Sequence, residues 1–161
     1  AAAQHREIGY GSEAFMAAER LLSWYNRRVY LEQREEKAVD FNAVITDIFE
    51  GIRAGLKAKG ANVPHLKAFA SGTDGDFFKA SLIGVDYPIE YDHKLPGSYS
   101  ALSVIINARA AADAELMASV VDDAIDSVCL NYALKHRTFF LENFGMMDQG
   151  RGNGGRASRY E

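Results

Sequence analysis

The sequence has very little cysteine and no long apolar run. Cys129 is the only cysteine in 161 residues, which excludes an internal disulfide framework and a cysteine-rich zinc site and favours a reducing compartment. No stretch approaches the roughly 18 apolar residues of a membrane span, and the first residues lack the apolar segment of a secretory signal. We therefore expect neither a membrane protein nor a secreted one.

An excess of positive charge is also missing. The formal net charge is −4 at pH 7, so the molecule as a whole does not attract nucleic acid, and any basic surface has to be local. Hydrophobic residues make up 48% of the chain, which is enough for one globular domain with an apolar core.

Established catalytic motifs are absent from the sequence. Ser98 lacks the G-x-S-x-G context of a nucleophilic serine, and the four histidines have no ligand-like i, i+4 spacing. "DDAID", from Asp122 to Asp126, is spelled like the aspartate-rich magnesium motif of isoprenoid synthases. The second motif of those enzymes is missing, and an acidic, solvent-exposed helix face accounts for this pattern of aspartates. We expect no enzyme, no metal and no cofactor.

One acid-base cluster remains as an alternative. Glu90, Asp92 and His93 lie close together at the predicted end of a strand, and a histidine beside a carboxylate can act as a general base. Strand alternation, however, places His93 on the face opposite to the two carboxylates. Cys129 falls on the apolar stripe of a predicted helix, which favours a core position with a raised thiol pKa.

Helical periodicity predicts three helices. Apolar residues at three- and four-residue steps predict a first helix over residues 13–37. Asp40 resembles the N-cap of a second helix, and Asp113 resembles the N-cap of a long last helix. Gly51 and Gly55 lie inside the second helix, where glycine is unfavourable. They predict either close packing of another element at this place or a subunit contact.

A period of two predicts a sheet between residues 64 and 109. Three antiparallel strands, separated by the turn "GTDGD" and the loop "HKLPGS", make up a meander. The pair Asp74 and Gly75 is typical of a hairpin turn, and Pro88 indicates an edge or a bulge in the middle strand.

These patterns together predict an α+β fold with extended terminal arms. Residues 1–147 are expected to form a single domain with an N-terminal arm over residues 1–11, two N-terminal helices, a three-stranded antiparallel meander and a long C-terminal helix. Residues 148–161 follow as a glycine- and arginine-rich C-terminal arm.

The C-terminal arm is expected to make contacts with another molecule. Its composition cannot bury enough apolar surface to become ordered by itself. We expect it to lie across a neighbouring subunit, with Tyr160 as an apolar anchor and with Arg151, Arg156 and Arg159 bridging to acidic surface.

The order of the elements resembles that of proteins of the tailed-phage neck, above all the tail-terminator and tail-completion families. The resemblance is carried by "VITDIFEGIRAGLKAKG", a helix that leads into the sheet, and by "SALSVIINARAAADAELMASVVDDAID", a passage from strand to helix. It covers residues 40–135 and contains no diagnostic motif. It implies rings of subunits stacked between other ring proteins, without catalysis.

The arms and this resemblance predict a non-enzymatic structural protein of a viral particle or a similar symmetric complex, of the head-tail connector or tail-terminator kind. Its expected partners are further copies of itself, as in a ring, and neighbouring structural proteins. Asp74 and Gly75 at the hairpin tip and the C-terminal arm are the expected contact elements. The expected location is the virion or the host cytoplasm.

A small nucleic-acid-binding or packaging-accessory protein is the alternative. Glycine frees the backbone of the arm, while its arginines can contact phosphates and stack on bases. Phe77, Tyr87 and Tyr91 of the middle strand either form a stacking platform for single-stranded nucleic acid or pack in the core of the sheet.

Overall fold

The structure is a computed structural model that describes residues 22–145 and 156–158. The strands are β1 (Ser23–Gln33), β2 (Asn62–Ser71), β3 (Phe77–Leu82), β4 (Glu90–His93), β5 (Ala101–Ala111), β6 (Leu134–Gly145) and β7 (Arg156–Ser158), and the helices are α1 (Phe41–Ala58) and α2 (Ala114–Asn131). Within this part of the chain, no helix has the length and apolar character needed to cross a membrane.

The strands form one antiparallel sheet in the order β4-β3-β2-β5-β1-β6-β7. Strand β5 lies between β1 and β2, which α1 connects, and β1 lies between β5 and β6, which α2 connects. The core of the fold is therefore a split βαβ arrangement. The two strands of each βαβ unit are not adjacent, because one strand of the other unit lies between them. Strands β3 and β4 extend the sheet beyond β2.

The predicted fold class is wrong. Among the described residues the sheet has seven strands instead of three, and β5 pairs with β1 and β2 instead of with the middle strand of a meander. That middle strand is interrupted after Leu82, and the chain resumes pairing only at Glu90, two residues beyond Pro88. Proline has no N–H to give to a sheet ladder, which is the physical reason for an interruption at this place.

The predicted first helix is also wrong where the structure describes it. Residues 23–33 form the interior strand β1, while residues 13–21 lie outside the described residues. Alternate side chains of β1 point towards the helices, namely Tyr25, Arg27, Val29 and Leu31. The charge of Arg27 in this buried series conceals the period of two, whereas the spacing of Tyr25 and Val29 also fits a helix.

Both remaining helix predictions are confirmed, with their caps. The Asp40 carboxylate accepts hydrogen bonds from the backbone N–H groups of Asn42 and Ala43, and the Asp113 carboxylate accepts one from Leu116. These bonds satisfy donors that the first turn of a helix leaves unpaired. Both helices pack on the same face of the sheet and bury their apolar stripes there.

Gly51 and Gly55 are where α2 packs against α1. A Cβ atom added at Gly51 would lie 3.0 Å from the Cβ of Ala124, and one added at Gly55 would lie 2.9 Å from a methyl group of Val120. Close packing of a second helix is thus the reason for these glycines. Of the two predicted explanations, close packing of another element is confirmed. Bare backbone on α1 lets the two helices approach each other.

A buried arginine ties α2 to the sheet. The Arg27 side chain is only 7% exposed, and its guanidinium forms an ion pair with Asp122 of α2. It also donates hydrogen bonds to the Thr138 hydroxyl at 2.8 Å and to the Tyr25 hydroxyl at 3.0 Å. Burial opposes the charged form, but Tyr25 and Asp122 outweigh it, so that the pKa of Arg27 is raised.

Candidate interaction surfaces

The face of the sheet opposite to the helices is the first candidate surface. Among the described residues, α1 and α2 lie on one face only, and no element covers the other, which we call the open face. Aromatic and cationic side chains alternate across the open face on adjacent strands. They are Trp24, Arg28, Tyr30, Lys67, Phe69, Phe77, Lys79, Arg109, Arg137 and Phe140.

A cleft of about 650 Å³ lies on the open face. Its walls are two rows of side chains that four neighbouring strands bring together by their register. The first row is His65, Arg109, Trp24 and Phe144, and the second row is Lys67, Asn107, Asn26 and Glu142. Strands lie about 4.8 Å apart, so each row of four is about 14 Å wide.

The first row combines stacking with positive charge. The Arg109 guanidinium lies over the Trp24 ring, 4.5 Å from the ring centroid. Partial burial lowers the pKa of His65, and the positive charges of Lys67 and Arg109 lower it further. His65 is therefore held in its neutral form near pH 7, with one ring nitrogen as donor and the other as acceptor.

Two polar atoms of the cleft are buried without a partner. Within the described residues, Oδ1 of Asn26 and Nε2 of His65 are buried and make no hydrogen bond. Such atoms are costly to leave unsatisfied. Both atoms have almost no accessible surface, so a ligand in the cleft can pair with them only after the Asn26 amide or the His65 ring rotates.

A second aromatic group lies further along the open face. The Phe69 and Phe77 rings stack with centroids 5.6 Å apart, and the His93 ring stacks on Phe77 at 4.2 Å. Nε2 of His93 lies 3.1 Å from a carboxylate oxygen of Asp76. Phe69 is 42% exposed, so this group presents a flat apolar surface to solvent.

The outer surface of the helix layer differs from the open face in charge. The exposed side of α2 carries Glu115, Asp122, Asp123 and Asp126, and the helix contains no lysine or arginine. The cations of the open face thus lie among the carboxylates of Asp92 and Glu142, whereas α2 carries acidic residues and no basic one. An anionic ligand is attracted to the open face and repelled from α2.

The second candidate surface is the β6 edge of the sheet. Arg156, Ala157 and Ser158 pair with Asn143, Glu142 and Leu141 of β6 in antiparallel register. The described part of the C-terminal arm therefore acts as an edge strand through its backbone. Along Leu134–Phe140, the outer side of β6 has no partner strand among the described residues.

Of the interaction residues predicted from the sequence, the turn pair is well defined. Gly75 has φ +85°, which favours glycine, so that the predicted hairpin turn between β2 and β3 is confirmed. The Asp74 carboxylate accepts hydrogen bonds from the Asp76 backbone at 3.0 Å and from the Tyr99 hydroxyl at 2.8 Å. These bonds lower the pKa of Asp74, while burial and Asp74 raise the pKa of Tyr99 to about 12.

The other predicted interaction residues belong to the C-terminal arm. Arg156 lies in β7, where only its backbone is described. Arg151, Arg159 and Tyr160 lie outside the described residues. The bridging role of the arm arginines stays a prediction.

The predicted acid-base cluster does not assemble. His93 pairs with Asp76 instead of Glu90 or Asp92, and no group of three or more metal-ligating side chains occurs within residues 22–145 and 156–158. Cys129 is buried against the sheet, where burial raises the pKa of its thiol to about 11, in agreement with the predicted core position.

Of the two alternatives for Phe77, Tyr87 and Tyr91, the stacking platform is not formed by these three residues, and core packing is confirmed for Tyr91. Phe77 lies on the open face, but Tyr91 points to the helix side, where its hydroxyl lies 2.7 Å from that of Thr46. Tyr87 lies in the turn that follows β3. The aromatic residues that do line the cleft, Trp24 and Phe144, come from strands whose pairing no local pattern reveals.

In comparisons with known proteins, no family model, no curated protein and no solved structure matches the chain. The function has to be inferred from the two surfaces themselves.

Proposed function

We propose that the chain is a non-enzymatic assembly protein of a viral particle or a similar symmetric complex, in which the C-terminal arm joins one copy to the next. The observation that carries the proposal is the pairing of Arg156–Ser158 with the β6 edge. Addition of a strand to a sheet edge is a general way in which an extended segment binds a folded domain, because backbone hydrogen bonds supply the contact.

The connection before β7 supports exchange of the arm between copies. Residues 144–155 separate the paired residues Asn143 and Arg156, whereas hairpin loops usually have about two to five residues. A fully extended segment of ten residues spans up to about 36 Å. A segment of this length, residues 146–155, reaches a β6 edge up to about 36 Å away, whether that edge is in the same copy or in a second one.

Exchange of the arm leads to head-to-tail assembly. The arm and the β6 edge are different surfaces, so a copy that gives its arm to a neighbour still offers its own edge to a third copy. Such head-to-tail contacts generate a closed ring when the rotation between copies closes, and an open filament when it does not. The backbone hydrogen bonds are the same within one chain and between chains, so protein concentration decides between them.

The test is the solution mass of the nuclease-treated full chain, measured by size-exclusion chromatography with light scattering over a range of concentrations. We expect oligomers that grow with concentration. Ala157→Pro removes an N–H group from the centre of β7 and should shift the equilibrium towards monomer. Ala157→Val is the matched control, because valine favours a strand and keeps the N–H group.

Two outcomes would contradict the proposal. One is a full chain that stays monomeric at every concentration. The other is equal assembly of Ala157→Pro and Ala157→Val. Deletion of residues 148–161 should weaken assembly and leave the fold intact, which circular dichroism of the truncated chain will show.

A further inference from the structure

We propose that the cleft on the open face binds single-stranded nucleic acid. Its two rows of side chains supply what such a ligand needs: positive charge, a flat surface for stacking, and polar atoms for base edges. This inference concerns a different surface from the arm and does not rest on the proposed assembly role.

Charge is the first argument. Lys67 and Arg109 line the cleft, and Arg28, Lys79 and Arg137 lie on the same face. Lys67 and Arg109 outnumber Glu142, the carboxylate of the cleft, in a chain whose net charge is −4. Together with the acidic outer surface of α2, this excess of positive charge directs a polyanion to one side of the molecule.

Stacking is the second argument. Arg109 holds its guanidinium over the Trp24 ring at 4.5 Å, and Arg28 lies over the Phe140 ring at 5.6 Å. Bases stack on aromatic rings and on guanidinium planes alike. Bases can do so only when they are not stacked on their neighbours within a duplex, which selects single strands.

The polar atoms are the third argument. Oδ1 of Asn26 and Nε2 of His65 are buried without a partner in the described residues, and both lie in the cleft. Asn107 adds an amide, and Glu142 adds a carboxylate that accepts hydrogen bonds from amino or imino groups of bases. Base edges in a single strand can pair directly with Asn107 and Glu142, and with Asn26 and His65 once these side chains rotate to expose their buried atoms. Polyglutamate neutralises the cations but has no planar ring to stack on Trp24 or Arg109.

The single tryptophan makes the site directly observable. Trp24 is the only tryptophan in the chain, so its fluorescence reports on this cleft alone. The full chain is titrated with ten-residue oligo-dT, oligo-rU, a duplex of equal length and polyglutamate. We expect both single strands to quench Trp24, with the ratio of the two affinities distinguishing DNA from RNA, and we expect a much weaker response to the duplex and to polyglutamate.

Variants are compared by anisotropy of labelled oligonucleotides. Lys67→Gln should weaken binding and reduce the salt dependence of log K by about 0.7, the value for one phosphate contact of a single strand. The matched control is Lys59→Gln, which removes one exposed lysine at the end of α1 on the helix side. Arg109→Gln should weaken binding by about 5- to 150-fold, the usual effect of losing one stacking position.

A third variant tests whether the arginines of the arm contribute to nucleic-acid binding. With Arg151, Arg156 and Arg159 all changed to Gln in the full chain, Trp24 should still be quenched by the oligonucleotide. Ala157→Pro should bind as the wild type does even where it fails to assemble. The proposal is overturned if Lys67→Gln and Lys59→Gln behave alike, if polyglutamate quenches Trp24 as strongly as oligo-dT, or if no single strand binds.

Discussion

The ion pair between Arg27 and Asp122 predicts that Asp122 contributes more to the stability of the fold than its neighbour Asp123 does. Asp122 and Asp123 are adjacent and exposed on α2, but Asp122 lies against the buried guanidinium of Arg27. Asp122→Asn and Asp123→Asn remove the same charge from the same helix. The free energies of unfolding of the two variants should therefore differ only by the interaction of Asp122 with Arg27.

The expected difference follows from the burial of the two partners. The Arg27 side chain is 7% exposed and the Asp122 side chain is 54% exposed, so that the pair lies between a surface ion pair, worth up to about 1 kcal/mol, and a buried pair, whose disruption costs about 3–5 kcal/mol. Asparagine keeps an acceptor oxygen, and Tyr25 and Thr138 still accept from Arg27. We therefore expect Asp122→Asn to lower the free energy of unfolding by about 1–2 kcal/mol.

Urea unfolding followed by Trp24 fluorescence measures this difference, since Trp24 lies in an interior strand of the sheet. Asp123→Asn should change the free energy of unfolding by less than about 0.5 kcal/mol, as surface substitutions usually do. If the two variants are equally stable, the pair with Asp122 does not stabilise the buried charge, and the account of how α2 is held to the sheet is wrong.

Three further predictions concern packing, pH and reactivity. Gly55→Ala should lower the free energy of unfolding in urea although alanine favours helices, because the new Cβ would lie 2.9 Å from a methyl group of Val120. Adding Val120→Ala to this variant removes that contact and should reduce the effect of Gly55→Ala. The pKa of Asp74 is lowered by the Asp76 backbone and Tyr99, so this carboxylate contributes stability above about pH 4 that is lost at lower pH, and an Asp74→Asn variant should show a smaller loss in acid unfolding. Cys129, with a pKa of about 11, should react with a thiol reagent only after unfolding.

The helices could be predicted because their signals are local. Asp40 and Asp113 cap them, and apolar residues at helical spacing follow each cap within a few residues. The turn at Asp74 and Gly75 is equally local. For these elements, neighbouring residues alone contain the information that determines the structure.

The strands β1 and β6 escaped prediction because polar residues occupy their helix-facing positions. Arg27 and Thr138 lie on that face and bond to each other, so neither strand shows a clean alternation of apolar and polar residues. In β6 the register with β1 also shifts opposite Arg28 and Val29, which leaves Phe139 as an extra residue and moves every following side chain to the other face.

The cleft could not be predicted from the sequence because it depends on register among four strands. His65, Arg109, Trp24 and Phe144 are far apart in the chain and become one row only through the pairing of β2, β5, β1 and β6. A local pattern reports which face a residue takes, but it carries no information about the residue beside it on the next strand.

The two proposed surfaces share a boundary. Ala157 of β7 pairs with Glu142, the last member of the second row of the cleft, so the arm extends that row by one strand. A ligand in the cleft and an arm on the β6 edge therefore lie side by side, whichever copy supplies the arm. If a ligand in the cleft changes the affinity of the β6 edge for the arm, then binding of the arm must change the affinity of the cleft for the ligand by the same factor. Titration of the oligonucleotide against assembled chain and against the Ala157→Pro variant measures that factor. We expect a factor of one, in line with the wild-type binding predicted for Ala157→Pro, and any other value would mean that the two surfaces are coupled.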